Sequence, residues 1–348
     1  MITSTYGAIL HKSKSNLIVD EINLPKALTP GQVLVEVHAS GICGAQINEI
    51  DAVKGPDKFL PHLLGHEGVG KVIDTGPFVS QVTINDMVVL HWRKGFGIEG
   101  QPYEYRWRNR TLNSGPVTTF SKHVVVSENR LTRIPDYKKV EYLPLLGCGL
   151  TTAFGSITRD AKIVAGESLL ILGIGGVGSL LLVAAKTLGA GVVVALDKIA
   201  DKEASSMNLG ADHFETNISS DFINKINGKF GIDKFDIVID TTGNPDIIST
   251  GYDLLNQNGR LVLVGVMPND LKLAINTLGL NLGKKIIGSY GGQANPSYDI
   301  PRLYSMILSN KLNLSNLKFK SHKLIDINQA IDNVRNGDIG KQFISNFD

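Results

Sequence analysis

Valines at positions 33, 35 and 37 alternate with Leu34, Glu36 and His38, the two-residue period of a strand with one buried face. Residues 69–73 and 124–126 carry similar runs, and from about 18 to 134 the chain reads as short strands broken by turn residues. The pattern changes after Cys148. Leu169-Leu170-Ile171-Leu172 is an apolar run of buried-strand length, 178–188 has helical spacing, 192–196 is a second strand, and 200–209 is a helix stopped by Gly210. Further strands are predicted at 235–240, 260–266 and 285–289. A β-rich first part followed by β-α-β alternation predicts an α/β chain whose second domain is a doubly wound parallel sheet. The tail carries a helix at 300–309 and a final strand at 341–347 that returns to the first domain. The expected division is therefore 1–150, 151–290 and 291–348.

A chain of 348 residues fits two domains of ordinary size, and with 43% hydrophobic and 20% charged residues it buries a normal core. The formal charge of +2 gives no broad basic field, so neither nucleic acid nor a membrane surface is an expected partner. The longest apolar stretch, 169–185, contains Gly173, Gly175, Gly176 and Gly178, which makes it a strand turning into a helix rather than a membrane span. Residues 1–5 lack the basic start and apolar stretch of a secretory signal, and a cytoplasmic location is expected.

The two cysteines lie in Gly41-Ile42-Cys43-Gly44 and Gly147-Cys148-Gly149, with Gly65-His66-Glu67 between them. Two thiolates and an imidazole suit a zinc ion that keeps its fourth position open, and three ligands point to catalysis because structural sites close with four. In a cytosolic chain such a pair reads as metal-binding or catalytic rather than as a disulfide. Gly173-Ile174-Gly175-Gly176-Val177-Gly178 matches G-x-G-x-x-G between the predicted strand and helix. Its glycines permit a tight turn, a close approach to a pyrophosphate and helix–strand packing, and the helix start offers N–H groups to phosphate. Asp197, at the end of the second strand, is placed to accept ribose hydroxyls and to repel a 2′-phosphate, which favours NAD over NADP; Lys198 and Lys202 stand nearby.

These landmarks, together with Gly31-Gln32-Val33-Leu34-Val35, Leu64-Gly65-His66-Glu67-Gly68 and Gly147-Cys148-Gly149-Leu150-Thr151-Thr152, resemble the zinc-dependent alcohol dehydrogenases of the medium-chain dehydrogenase/reductase family. The resemblance covers nearly the whole chain. It implies a GroES-like β domain carrying zinc, a Rossmann domain carrying NAD(H), and a cleft between them for an alcohol or carbonyl. Cys43, His66 and Cys148 would be the ligands and Glu67 a carboxylate able to approach the metal. Thr152, Val264 and Val266 would lie near the nicotinamide. Zinc would act as a Lewis acid in hydride transfer. Relatives form dimers or tetramers through Rossmann edge strands, for which 260–266 and the apolar 271–282 are candidates here.

The chain also departs from that family. No cysteine remains for a second, structural zinc, so the lobe at about 95–114, with Phe96, Tyr103, Tyr105 and Trp107, must rest on aromatic packing or on a partner subunit. Ala45 and Asn48 stand where a hydroxyl and a histidine usually relay the proton, and Gln46 where an aspartate usually orients the metal-bound histidine. His91, Glu67 and Glu49 are the candidate proton acceptors, with His62 a fourth that reads as exposed. Trp92 would wall the substrate pocket, and Arg93 and Lys94 would bind an anionic group, which favours a polar or anionic polyol or sugar-derived substrate. The alternatives are a redox-neutral, NAD-using epimerase or cyclase and a non-catalytic nucleotide-binding protein.

Overall fold

The computed structural model describes residues 2–135 and 140–347. They divide into two compact units: Met1–Thr151, Asn295–Leu308 and Lys318–Asp348 form the first, and Thr152–Ala294 with Ser309–Leu317 the second. The sequence placed all of 291–348 with the first. Instead residues 291–294 and Ser309–Leu317 belong to the second unit, where Leu312 and Leu314 are buried and the Asn316 amide donates to the Asn208 carbonyl at 2.8 Å.

Among the described residues of the first unit, one sheet has five strands and another seven. The larger is centred on Gln32–Gly41, which pairs with Glu67–Thr75, with His123–Ser127 and with the C-terminal strand Lys341–Asn346, all antiparallel. Val33, Val35 and Val37 face its core while Leu34, Glu36 and His38 are partly exposed, as the alternation predicts. The final strand sets Phe343 opposite Gly41 and so fixes Lys341 in the unit's interior. The turn before Glu67–Thr75 needs its glycine: Gly65 has φ +93°, and a Cβ there would stand 2.3 Å from Thr119 Oγ1.

The second unit holds a six-stranded sheet among the described residues, all parallel, in the order His213–Glu215, Val193–Leu196, Leu169–Leu172, Phe235–Asp240, Leu255–Leu263, Lys285–Gly288. That order is the doubly wound one with its switch point at Leu169–Leu172 and Phe235–Asp240. The fifth strand is longer at its start and shorter at its end than 260–266. Leu255 pairs with Phe235 across a bulge, and at the far end the N–H groups of Val264 and Gly265 both turn to the Asp240 carbonyl. It is also interior, because Lys285–Gly288 pairs outside it; the edge is the sixth strand, not the fifth.

Candidate functional site

Cys43 ends the turn after Gln32–Gly41 and precedes the helix Gly44–Ile50, His66 immediately precedes Glu67–Thr75, and Cys148 follows the 3-10 segment Val140–Gly147. The two strands are neighbours in the sheet, so the ends of three distant segments converge. One ligand atom from each residue lies within 4.8 Å of the others, the one such cluster among the described residues. Both cysteines are buried free thiols, and the buried Nε2 of His66 has no hydrogen-bond partner. An orphaned imidazole nitrogen beside two thiols is costly unless something binds it, and the donor set is the one zinc takes. The hydrogen bond from Cys148 holds the Cys43 thiol well below its ordinary range despite burial, and the same contact, with burial, pushes Cys148 well above it. Burial lowers the pKa of His66, but the adjacent Cys43 outweighs it and the net direction is up.

Glu67 is fully buried. One carboxylate oxygen accepts the Gly149 N–H at 3.2 Å and the other faces Lys341 Nζ at 3.3 Å. Burial lowers the Lys341 pKa, and the Glu67 carboxylate and the two cysteines more than reverse this, so the ammonium is kept. Sequence reasoning missed Lys341. Its signal was a lysine opening a strand whose next three residues, Gln342, Phe343 and Ile344, are buried.

Gln46 stands behind His66: its Nε2 lies 2.7 Å from His66 Nδ1 and 3.2 Å from Glu49 Oε2, and its Oε1 accepts the Gly65 N–H. The Gln46 amide thus stands against His66 at the position where the resemblance puts an aspartate. Ala45 and Glu49 are exposed and Asn48 is half-buried.

Other expectations change. His91 is wholly buried, with Nδ1 against the Arg93 carbonyl at 2.8 Å and Nε2 against Thr132 Oγ1 at 2.9 Å, and burial pushes its pKa down to about 4. A neutral ring with both nitrogens engaged has no means of accepting the substrate's proton. His62 is buried rather than exposed and joins Asp57 at 2.7 Å, which ties down the loop before His66. Trp92 is half-buried against the first unit's core and Arg93 lies over its ring at 5.6 Å. Lys94 reaches Glu99 at 2.5 Å, so its charge is met by a neighbour.

The lobe without cysteines is held partly by aromatics, as expected. Tyr103 meets Tyr105 edge-on at 4.7 Å, and the Trp107 indole donates to Asp20 at 2.8 Å. Sequence reasoning missed Glu128, whose buried carboxylate accepts N–H groups from Ser80, Gln81 and Ile98 at 2.5, 2.6 and 2.7 Å.

In the second unit Gly173, with φ +90°, makes the turn after the first strand, and the helix Gly176–Thr187 begins behind Gly175. A Cβ on Gly178 would stand 2.0 Å from the Gly173 carbonyl oxygen, while one on Gly175 would meet nothing within 4 Å. The third glycine is therefore needed for packing, and the second leaves open space where a phosphate fits. Val177 lies in the helix's first turn, and Thr152 is buried in the helix Gly149–Gly155. Asp197 accepts the Ile174 and Ile199 N–H groups at 2.8 and 3.0 Å and pairs with buried Lys202 at 2.9 Å. Val264 and Val266 follow the fifth strand, Val266 exposed.

A doubly wound sheet with a glycine turn and an acidic second-strand end, on the same chain as a Cys–His–Cys cluster, defines a metal-centred, nucleotide-using dehydrogenase. Residues 29–136 match the family described as alcohol dehydrogenase GroES-like domain, and 176–309 the one described as zinc-binding dehydrogenase. Alcohol dehydrogenase B of Mycobacterium tuberculosis is 29% identical over 96% of both chains, and alcohol dehydrogenase 6 of Peromyscus maniculatus is 28% identical over 95% of both. A solved alcohol dehydrogenase zinc-binding domain protein from Burkholderia ambifaria superposes with a TM-score of 0.89 at 25% identity, covering 99% of each chain. The chain belongs to the zinc-dependent alcohol dehydrogenases of the medium-chain dehydrogenase/reductase family and is an oxidoreductase. No helix among the described residues is long and apolar enough to cross a membrane.

Proposed function

We propose that this enzyme transfers a hydride between NAD(H) and an alcohol or carbonyl of a small molecule, with one catalytic zinc per chain held by Cys43, His66 and Cys148. The orphaned Nε2 of His66 beside two buried thiols carries the reading. Zinc in such a site acts as a Lewis acid toward the substrate oxygen. The chain's own residues do the rest. Glu67, fixed between the Gly149 N–H and Lys341, sets the charge behind the cysteines, and Gln46 aims the histidine. The open space at Gly175 and the helix start receive the pyrophosphate, and Asp197 takes the ribose hydroxyls.

With His91 neutral and engaged and Glu67 buried and paired, the proton leaves by water along the exposed face at Ala45, with the Glu49 carboxylate as acceptor. The substrate is polar. Arg93, with its guanidinium over the Trp92 ring, and Lys94, paired with Glu99, are the cations behind that part of the proposal. Subunits associate as a dimer or tetramer through the edge strand Lys285–Gly288, beside which Leu278, Leu280 and Leu282 are exposed. A panel of alcohols, polyols and their phosphates with NAD⁺ and NADP⁺ tests the reading. Reduction of NAD⁺ by a polar alcohol is expected, and no reduction of either cofactor by any member would overturn it.

A further inference from the structure

The Gln46 amide is held by two partners of fixed polarity. The Gly65 N–H can only donate, and it meets Oε1; the Glu49 carboxylate accepts, and it meets Nε2 at 3.2 Å. The direction of the amide is thus set without reference to His66. An N–H therefore points at His66 Nδ1 from 2.7 Å, and Nδ1 must meet it with a lone pair. A neutral ring so placed carries its proton on Nε2, the nitrogen beside the two cysteines. A histidine that gives its Nε2 lone pair to a metal has the opposite arrangement, with Nδ1–H donating to an acceptor.

We propose that Gln46 is a positioning residue that sets the zinc affinity of the centre, opposing metal loading through the hydrogen-bond direction it imposes on His66. The proposal rests on the reading of Cys43, His66 and Cys148 as a zinc site. For Nε2 to bind metal, the amide must turn over and give up its bonds to Gly65 and Glu49, or Nδ1–H must face an N–H. A carboxylate at position 46 would accept the Gly65 N–H on one oxygen and Nδ1–H on the other with no turn. Partners behind metal-bound histidines change affinity by about 10–100-fold, and the amide lowers it by that order.

The test uses the full-length chain. Zinc affinity is measured by chelator competition for the unchanged protein, for Gln46→Glu, and for Gln46→Glu combined with Glu49→Gln. The pair is needed because Gln46→Glu alone sets two carboxylates at the 3.2 Å contact. The ¹⁵N imidazole spectrum of His66 is recorded in zinc-stripped protein at a pH where the ring is neutral. The proton should sit on Nε2 in the unchanged protein and on Nδ1 in the paired variant, which should bind zinc about 10–100-fold more tightly. An Nδ1–H ring in the unchanged protein, or equal affinity in a folded paired variant, would overturn the proposal. If the paired variant fails to fold, the ring spectrum of the unchanged protein decides alone. An unchanged protein that takes up no zinc would sink the zinc-centre reading as well, whereas zinc uptake with equal affinities sinks only the role of Gln46.

Discussion

Charge around the Cys43–His66–Cys148 cluster is set residue by residue. With zinc bound as proposed, two thiolates would offset the divalent ion while Glu67 offsets Lys341, and no net charge would be left in a buried region. Lys341→Met should therefore strand the Glu67 carboxylate and cost about 3–5 kcal/mol, read as a lower thermal midpoint. Adding Glu67→Gln to the same chain should recover part of the loss. If Lys341→Met melts like the unchanged protein, the pair has no such role. His91 gives a pH dependence of known sign. Its folded pKa of about 4 lies below the ordinary value of 6.5, so between the two the unfolded chain binds the extra proton and stability falls with falling pH. The stabilisation is fully present above pH 6.5 and is lost on the way down to 4, a difference of about 3 kcal/mol. His91→Gln should flatten that part of the melting curve against pH; an equally steep loss in the variant would contradict the assignment.

At the scale of elements, strands with a clean period were legible and those held by distant polar groups were not. Val33, Val35 and Val37 announced a strand because one face is buried, and 169–172 because both are. The strand His213–Glu215 went unseen, since three residues with Phe214 alone buried make no period. The helices Phe222–Phe230 and Pro245–Asp253 also went unassigned, although Asn244 caps the second by accepting the N–H groups of Asp246 and Ile247. The clustering of Cys43, His66 and Cys148 was legible because all three sit in short glycine-flanked motifs. Glu128 was not, because its partners are backbone amides 30 to 48 residues away, which leave no mark on side-chain pattern. Removing it tests the lobe: Glu128→Ala should leave three N–H groups to find new partners, lower stability by about 1–3 kcal/mol or more, and speed hydrogen exchange at Ser80, Gln81 and Ile98. Unchanged exchange at those amides would mean that the lobe is held otherwise.

For the molecule as a whole, the proposed function assigns the metal to the first unit and the nucleotide to the second, so single variants should remove each alone. Asp197→Ser should move the kcat/KM ratio toward NADP⁺ by about tenfold or more, because it removes the carboxylate that repels a 2′-phosphate and leaves Lys202 beside it. An unchanged ratio would mean that cofactor choice lies elsewhere. The same variant should leave zinc content untouched, whereas His66→Ala should lose zinc and leave NAD binding intact. The most direct test of the account is zinc content measured alongside NAD⁺-linked alcohol oxidation, through chelator removal and zinc restoration. One zinc per chain is expected, with loss of hydride transfer when it is removed and recovery when it is returned; full turnover in zinc-free protein would rule out a catalytic zinc at Cys43, His66 and Cys148.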